Sequence, residues 1–128
     1  MDSKDIKDIV KDRYGKIAKQ GTSCCGSSTS CCGGPNLVQI ISKEIGYSDE
    51  ELKAVPDGSN LGLGCGNPLA LSSIREGDTV LDLGSGAGFD CFLAAAQVGI
   101  NGRVIGVDMT SEMIEKARRM RRKVITGT

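Results

Sequence analysis

Histidine and tryptophan are absent from this 128-residue sequence. The lack of histidine removes the commonest general base at neutral pH and the commonest protein ligand for metals. With only two Phe and two Tyr, the chain offers few aromatic surfaces on which nucleic-acid bases stack. The 16 basic residues balance 16 acidic ones, so no net charge attracts a polyanion or an anionic membrane. We therefore expect neither nucleic acid nor a membrane as a partner.

Long apolar runs are lacking too. No stretch reaches the ~18 residues that a membrane-spanning helix needs. The first residues, MDSKDIKDIVKDRYGK, are charged, unlike a secretory signal peptide. These features predict a cytoplasmic protein, in which cysteines stay reduced. The six cysteines therefore favour metal, metalloid, redox or catalytic roles over structural disulfides.

The chain is organised around residues 79–108, TVLDLGSGAGFDCFLAAAQVGINGRVIGVD. An apolar run ends at a glycine turn, a helical pattern follows, and a second apolar run ends on Asp108. This order of strand, turn, helix, strand and acid is typical of the first half of a nucleotide-type βαβ site. Apolar spacing and capping residues predict further helices over residues 3–19, 35–45, 48–53 and 68–73, and from about residue 111. The sequence therefore predicts an α/β fold with parallel strands.

The glycine turn has the composition of a cofactor site. Gly84 permits a tight turn, Gly86 lets a ligand approach the backbone, and Gly88 lets the helix pack close to the strand. Asp108 follows roughly 20 residues later, where an acid accepts hydrogen bonds from a ribose diol. The alternative, a purely structural βα turn, does not explain that acid.

The details of this turn discriminate between cofactors. A dinucleotide fingerprint needs a third glycine at position 89, which is Phe89. Asp82, beside the turn, repels a pyrophosphate but suits a ligand that carries an ammonium and a sulfonium. No Gly-Lys-Ser/Thr follows, which excludes a Walker phosphate loop. The pattern favours S-adenosylmethionine over NAD.

The cysteines fall into two loops and one helix. QGTSCCGSSTSCCGGPN holds Cys24–Cys25 and Cys31–Cys32, and NLGLGCGNP holds Cys65. Adjacent pairs are a poor zinc template, and Cys65 lacks the apolar surroundings of a structural cysteine. Cys24 and Cys25 remain open between spare thiols, a disulfide with the other pair, and ligands. Cys91 is interpreted as a core residue, and Tyr14 as a packing residue of the first helix rather than a cofactor contact.

The sequence resembles the N-terminal half of the arsenite S-adenosylmethionine methyltransferases. The resemblance covers most of residues 5–117 and rests on the motifs DRYGKIA, SCCG, CCGG, GYSDEELKAVPDGSNLGLGCGNPLAL, VLDLGSGAGFDCFLAA and GRVIGVDMTSEMIEKAR. It implies the N-terminal part of a class I methyltransferase, with a Rossmann-like doubly wound sheet. Residues 1–73 then form a helical segment with the cysteine-rich and LGCGNP loops, and residues 74–128 form the first βαβα part of the cofactor domain.

The resemblance also implies a reaction, in which S-adenosylmethionine methylates thiol-bound arsenite. Cys65 is then a catalytic arsenic thiolate, and its upstream partner is Cys31 or, preferentially, Cys32. Within the cofactor set Ser85 contacts the methionine part and Met109 packs near the adenine; the whole set is Asp82, Gly84, Ser85, Gly86, Gly88, Asp108 and Met109. A thiol reductant such as thioredoxin or glutathione is the expected partner.

Two other functions stay open: a class I methyltransferase for another small molecule, such as a quinone-type carbon acid, and a thiol-based metalloid-binding module without catalysis.

Beyond about Arg118 the sequence, RRMRRKVITGT, departs from the family pattern. We expect a truncated product or a segment of a longer protein, with weak or no cofactor binding alone. The alternative is that VIT forms a short third strand. As a hypothesis, the unpaired sheet edge favours self-association.

Overall fold

The computed structural model describes residues 2–20, 35–64 and 66–126. Its helices and strands are α1 (Ser3–Gln20), α2 (Pro35–Glu44), α3 (Asp49–Ala54), α4 (Pro68–Leu71), β1 (Thr79–Leu83), α5 (Phe89–Val98), β2 (Arg103–Val107) and α6 (Ser111–Thr126). Each helix and strand predicted from the pattern is present, with bounds that shift by one or two residues at most ends. Among these residues, none of the helices has the length and apolar character needed to cross a bilayer.

Capping residues explain where the short helices begin. Before α3, the Ser48 side chain accepts a hydrogen bond from the backbone N–H of Glu51 at 3.2 Å. The Glu51 carboxylate in turn accepts one from the N–H of Ser48 at 2.8 Å, which completes a capping box. Before α4, the Asn67 side chain accepts from the N–H groups of Leu69 and Ala70. Such caps satisfy N–H groups that have no partner inside the helix.

The sheet consists of β1 and β2, which pair in parallel with Thr79 opposite Arg103 and Leu83 opposite Val107. Helix α5 joins the two strands and packs against one face of the sheet. The core on that face contains Tyr47, Leu69, Leu93 and Ala94, with Val80 and Val104 packed against it. On the other face, Leu81, Leu83, Ile105 and Val107 are exposed.

A second core brings α1 onto α6 beside the glycine turn. It contains Ile17 and Ala18 of α1, Met113 of α6, Leu61 and Ala87. Lys116 Nζ of α6 donates a hydrogen bond to the Ala18 carbonyl at 3.2 Å. This bond caps a carbonyl in the last turn of α1 and fixes that end of the helix over α6.

The alternative of a third strand at the end of the chain is wrong. Helix α6 continues through Thr126, so the VIT segment is helical. The preceding RRMRRK stretch consists of good helix formers. The Thr126 hydroxyl donates to the Arg122 carbonyl at 2.9 Å, within the same helix.

Candidate functional site

A cavity of about 480 Å³ lies between α1, the loop before α4, the glycine turn and the end of β2. We call it the large cavity. Its walls combine bare backbone with one carboxylate and several apolar side chains: Tyr14, Leu63, Gly84, Gly86, Val107, Asp108, Met109, Thr110 and Met113. The carboxyl ends of both strands meet here, which is where open parallel sheets bind ligands.

The glycine turn presents open backbone to the large cavity. Gly84 and Gly86 have φ angles of +77° and +54°, which non-glycine residues rarely adopt. A Cβ placed on either would meet nothing within 4 Å, so a ligand has room against the main chain. The N–H groups of Gly84 and Ser85 donate to the Val107 carbonyl at 2.7 and 3.0 Å. These bonds dock the turn onto the end of β2.

The Asp108 carboxylate links the turn to the start of α6. Its Oδ2 accepts from the N–H of Gly86 at 2.9 Å, and its Oδ1 accepts from the N–H of Thr110 at 2.8 Å. A carboxylate has about four acceptor positions, so each oxygen keeps capacity for a further donor. Asp108 therefore has the chemistry to accept two ligand hydroxyls while it holds the turn.

The structure brings some of the predicted cofactor residues together. Gly84, Gly86, Asp108 and Met109 line the large cavity, and the Met109 side chain is 56% exposed. Ser85 lies in the same turn but lines a neighbouring small cavity of about 120 Å³, together with Gly64 and Asp90 among others. We call it the small cavity. Gly84 and Gly86 line both cavities, so the set spans two adjoining spaces.

Asp82 lies beside the turn but faces away from the large cavity. Its Oδ2 accepts a hydrogen bond from Cys91 Sγ of α5 at 3.2 Å. Strand alternation puts Asp82 on the same side of β1 as Val80, which is the side that α5 covers. Asp82 thus serves a contact between strand and helix here, and its placement lends no support to direct contact with a ligand in the large cavity.

The Cys91 thiol is half-buried where α5, which carries it, packs on β1 and β2. Burial, and next the hydrogen bond to Asp82, raise its pKa to about 12. The thiol therefore stays neutral at physiological pH, whereas nucleophiles and metal ligands need the thiolate. This environment agrees with the interpretation of Cys91 as a packing residue.

Gly88 makes room for helices rather than for a strand. It has a φ of +93°, and a Cβ there would lie 3.1 Å from the Phe92 ring and 3.4 Å from Ala117 Cβ. The close approach of helix to strand occurs instead at Gly106 of β2, where a Cβ would lie 2.8 Å from Cys91 Sγ. The predicted packing role was therefore assigned to the wrong glycine, and Gly88 is absent from the walls of both the large and the small cavity.

Five residues of the large cavity were not among the predicted site residues: Tyr14, Leu63, Val107, Thr110 and Met113. Tyr14 is 41% exposed at the cavity wall, whereas the sequence had predicted a packing residue of α1. Two of them had a signal in the sequence: Tyr14 belongs to the apolar spacing of α1, and Val107 ends the apolar run that leads to Asp108. The other three enter the cavity through the course of a loop and the docking of α6, which no local pattern predicts.

The predicted arsenic ligands lie outside the described residues. These are Cys31, Cys32 and Cys65, and the same holds for Cys24 and Cys25. Gly64, which precedes Cys65, lines the small cavity. Gly66, which follows it, has its carbonyl 2.9 Å from the Tyr47 hydroxyl. Within the described part of the chain, no group of three or more Cys, Asp or Glu side chains is arranged to hold a metal ion.

Comparison with known proteins shows which family this chain is related to. Residues 74–125 match the family described as a methyltransferase domain. The arsenite methyltransferase of Halobacterium salinarum is 50% identical over 123 residues, which are 91% of this chain and 32% of that protein. This chain is a partial homologue of the arsenite methyltransferases. The predicted resemblance and the predicted methyltransferase fold are thereby confirmed.

Two further proteins are similar to this chain. The arsenite methyltransferase of Aquipseudomonas alcaligenes is 32% identical over 117 residues, 88% of this chain and 30% of that protein. The crystal structure of an arsenic (III) S-adenosylmethionine methyltransferase from Chlamydomonas reinhardtii is similar at 35% identity and a TM-score of 0.42. The match covers 69% of this chain and 26% of that one. This chain thus spans about a third of the length of the curated relatives it matches.

Proposed function

We propose that this chain forms the S-adenosylmethionine-binding and thiol-bearing part of an arsenite methyltransferase. The observation that carries the proposal is the large cavity, in which the open glycine turn and Asp108 face Tyr14 and Met109. The methyltransferase-domain match, which begins at residue 74, supports a division into residues 1–73 with the cysteine loops and residues 74–128 with the cofactor site.

The walls of the large cavity suit the parts of S-adenosylmethionine. Its volume of about 480 Å³ lies within the usual range for small-molecule sites, roughly 300–1,000 Å³. Asp108 has an acceptor position left on each oxygen for the ribose diol. Met109 and Val107 offer apolar surface for the adenine. The bare backbone at Gly84 and Gly86 leaves space for the methionine part.

Thiols of this chain would hold the arsenic. Trivalent arsenic is soft and prefers thiolates, as soft metals do. We assign Cys65 as one ligand and Cys32, or alternatively Cys31, as another, by resemblance to the family. Leu63 lines the large cavity and Gly64 lines the small one. The loop that carries Cys65 therefore passes the cavity walls immediately before that residue, which supports the assignment.

The reaction explains why the chain needs no histidine. S-adenosylmethionine supplies a methyl group on a sulfonium, and the arsenic lone pair forms the new arsenic–carbon bond while sulfur keeps the electrons of the broken carbon–sulfur bond. No proton has to be removed, so no general base is required. The residues of the chain act by alignment, which brings reacting atoms to about 3–3.5 Å. Two thiols can return the pentavalent product to the trivalent state by forming a disulfide, which thioredoxin or glutathione in the cytoplasm would then reduce.

The proposal is tested in a fusion of this chain to the remaining two thirds of the Halobacterium salinarum relative. We expect the Asp108→Asn variant to bind S-adenosylmethionine about 10- to 100-fold more weakly, because a charged hydrogen-bond acceptor is lost. Asp78→Asn is the matched control, since Asp78 Oδ2 also accepts a backbone N–H, that of Arg75 at 2.8 Å, but on the exposed turn before β1. Isothermal titration gives both dissociation constants.

Cys65→Ser separates arsenite methylation from the other functions. We expect arsenite-dependent methyl transfer by the fusion and its loss in this variant, measured by arsenic speciation. Methyl transfer to another small molecule that survives Cys65→Ser would instead support a different class I methyltransferase. Arsenite binding without affinity for S-adenosylmethionine would support a metalloid-binding module and contradict the proposal.

A further inference from the structure

One buried tyrosine joins three separate segments beside the proposed site. Tyr47, in the turn between α2 and α3, is 4% exposed. Its hydroxyl lies 2.7 Å from Asp90 Oδ1 in the first turn of α5 and 2.9 Å from the Gly66 carbonyl. Its ring packs edge-on against Phe89, with ring centroids 4.7 Å apart. The site described above uses none of these contacts.

The two contacts of the hydroxyl require a particular arrangement of protons. A phenol has one proton to donate, and both the Asp90 carboxylate and the Gly66 carbonyl are acceptors. Both contacts are hydrogen bonds at once only when Asp90 carries a proton. Asp90 then donates to the Tyr47 oxygen, and Tyr47 donates to Gly66.

The surroundings of Asp90 favour this neutral form. Burial raises the pKa of Asp90; the hydrogen bond with Tyr47 opposes that shift, and the nearby carboxylates of Asp82 and Glu51 add to it. Burial and Asp90 also hold the pKa of Tyr47 above its usual range, so the phenol keeps its proton. The groups facing Asp90 are thus Tyr47, Glu51 of α3, Asp82 of β1 and, on α5 itself, the neutral Cys91.

The loop that contains Gly66 is held by side chains at both of its ends. At the start, Asn60 Oδ1 accepts from the N–H of Gly62 at 3.0 Å, and Asn60 Nδ2 donates to Ser42 Oγ at 2.8 Å. At the end, Asn67 Nδ2 donates to the Gly46 carbonyl at 3.2 Å. Between these anchors, the carbonyl of Gly66 is tied to the first turn of α5 through Tyr47.

We propose that Asp90 and Tyr47 are positioning residues, which hold the Gly66 carbonyl through two hydrogen bonds in series and thereby set residues 66 and 67 against the segment that follows the glycine turn. Asp90 lies two residues after Gly88, in the first turn of α5, and lines the small cavity together with Gly64, Ser85 and Gly86. The two bonds therefore connect the loop to the segment that faces the cofactor.

The functional consequence rests on the function proposed above. If Cys65 holds arsenic and the glycine turn faces the cofactor, the Asp90–Tyr47–Gly66 series sets the distance between the two reactants. Because the neutral form of Asp90 completes the series, it is complete below the folded-state pKa of Asp90. It loses one bond as the pH rises through that pKa.

The first test is a nuclear magnetic resonance titration of this chain. The backbone nitrogen of Asn67 shares a peptide group with the Gly66 carbonyl, so its chemical shift reports the hydrogen bond to that carbonyl. We expect the Asn67 shift to change with the same midpoint as the Asp90 carboxyl carbon. In Asp90→Asn, whose amide donates to Tyr47 at every pH, that change disappears. An Asn67 shift that stays flat while Asp90 titrates in the unaltered chain overturns the proposal.

The second test measures kcat in the fusion described above. We expect Tyr47→Phe to lower kcat about threefold to tenfold, the usual effect of one hydrogen bond, while the dissociation constant of S-adenosylmethionine is unchanged. Asp90→Asn keeps kcat within about twofold, because the amide replaces the neutral acid as a donor. The control Ser72→Ala removes a hydroxyl that donates to the Leu69 carbonyl at 3.1 Å, outside the series.

The outcomes separate this proposal from the function on which it rests. An unaltered fusion that transfers no methyl group to arsenite contradicts the proposed function, while the Asn67 titration still decides whether the series exists. A Tyr47→Phe variant with unchanged kcat, or an Asp90→Asn variant as impaired as Tyr47→Phe, overturns the positioning role. If Tyr47→Phe does not fold, the Asn67 titration in the unaltered chain and in Asp90→Asn gives the answer.

Discussion

The two faces of the small sheet carry similar residues but have opposite surroundings. On one face, Val80 and Val104 pack against Leu93 and Ala94 of α5. On the other, Leu83 is 74% exposed, and Leu81 and Ile105 are exposed with it. Strands with apolar residues on both faces are typical of parallel sheets that are covered on both sides. The described residues cover one side only, and the curated relatives are about three times as long.

The largest contrast between the faces is expected from truncating one leucine on each. Leu93 is 5% exposed and belongs to the packed core, so Leu93→Ala leaves a cavity that costs about 2–5 kcal/mol of unfolding free energy. Leu83→Ala, at a side chain that is mostly in solvent, changes that free energy by about 0.5 kcal/mol at most. Urea denaturation followed by circular dichroism measures both. Equal losses would mean that the second face is covered in solution.

A smaller effect is expected from overfilling the packed face. In Gly106→Ala the new Cβ lies 2.8 Å from Cys91 Sγ and 2.9 Å from Ser85 Oγ. Overpacking of this kind costs about 1–3 kcal/mol. Adding Cys91→Ala removes the closest atom and should restore part of the loss in the same denaturation experiment. A double variant as unstable as Gly106→Ala alone would contradict the assigned contact.

The smallest effect on stability is expected from making the open face polar. The double variant Leu81→Ser, Leu83→Ser should change the unfolding free energy by about 0.5 kcal/mol or less at each site. It should also weaken any self-association through the open sheet, which sedimentation velocity at several concentrations measures. If the unaltered chain sediments as a monomer at every concentration, self-association is excluded and the open face has no partner copy.

The strands and helices were predictable because their signals are local. The glycine turn, the period-3.6 stripe of α1 and the capping box of Ser48 and Glu51 each involve residues close in sequence. The starts of α1, α2 and α4 were predicted at the residues where the structure has them. The turn residues Gly84 and Gly86 and the acid Asp108 were predicted for the same reason, since one βαβ unit contains all three.

Other parts of the site depend on contacts between distant segments. Tyr14 reaches the cavity wall through the packing of α1 on α6, where Lys116 also donates a hydrogen bond to the carbonyl of Ala18, 98 residues earlier. Asp82 was predicted beside the cofactor, but the packing of α5 on β1 directs it to Cys91. Helix α6 reaches Thr126 although a third strand was considered for its last residues.

The sequence by itself determined the order of the elements, the glycine turn that borders the large cavity and the family to which the chain is related. These follow from residue type and short spacing, which act within one or two turns of chain. Only the tertiary structure decided which glycine admits a helix, which acid faces the cavity and how Tyr47 meets Asp90, 43 residues away. Such contacts depend on how whole elements dock, because burial and proton sharing arise only when segments far apart in the chain meet.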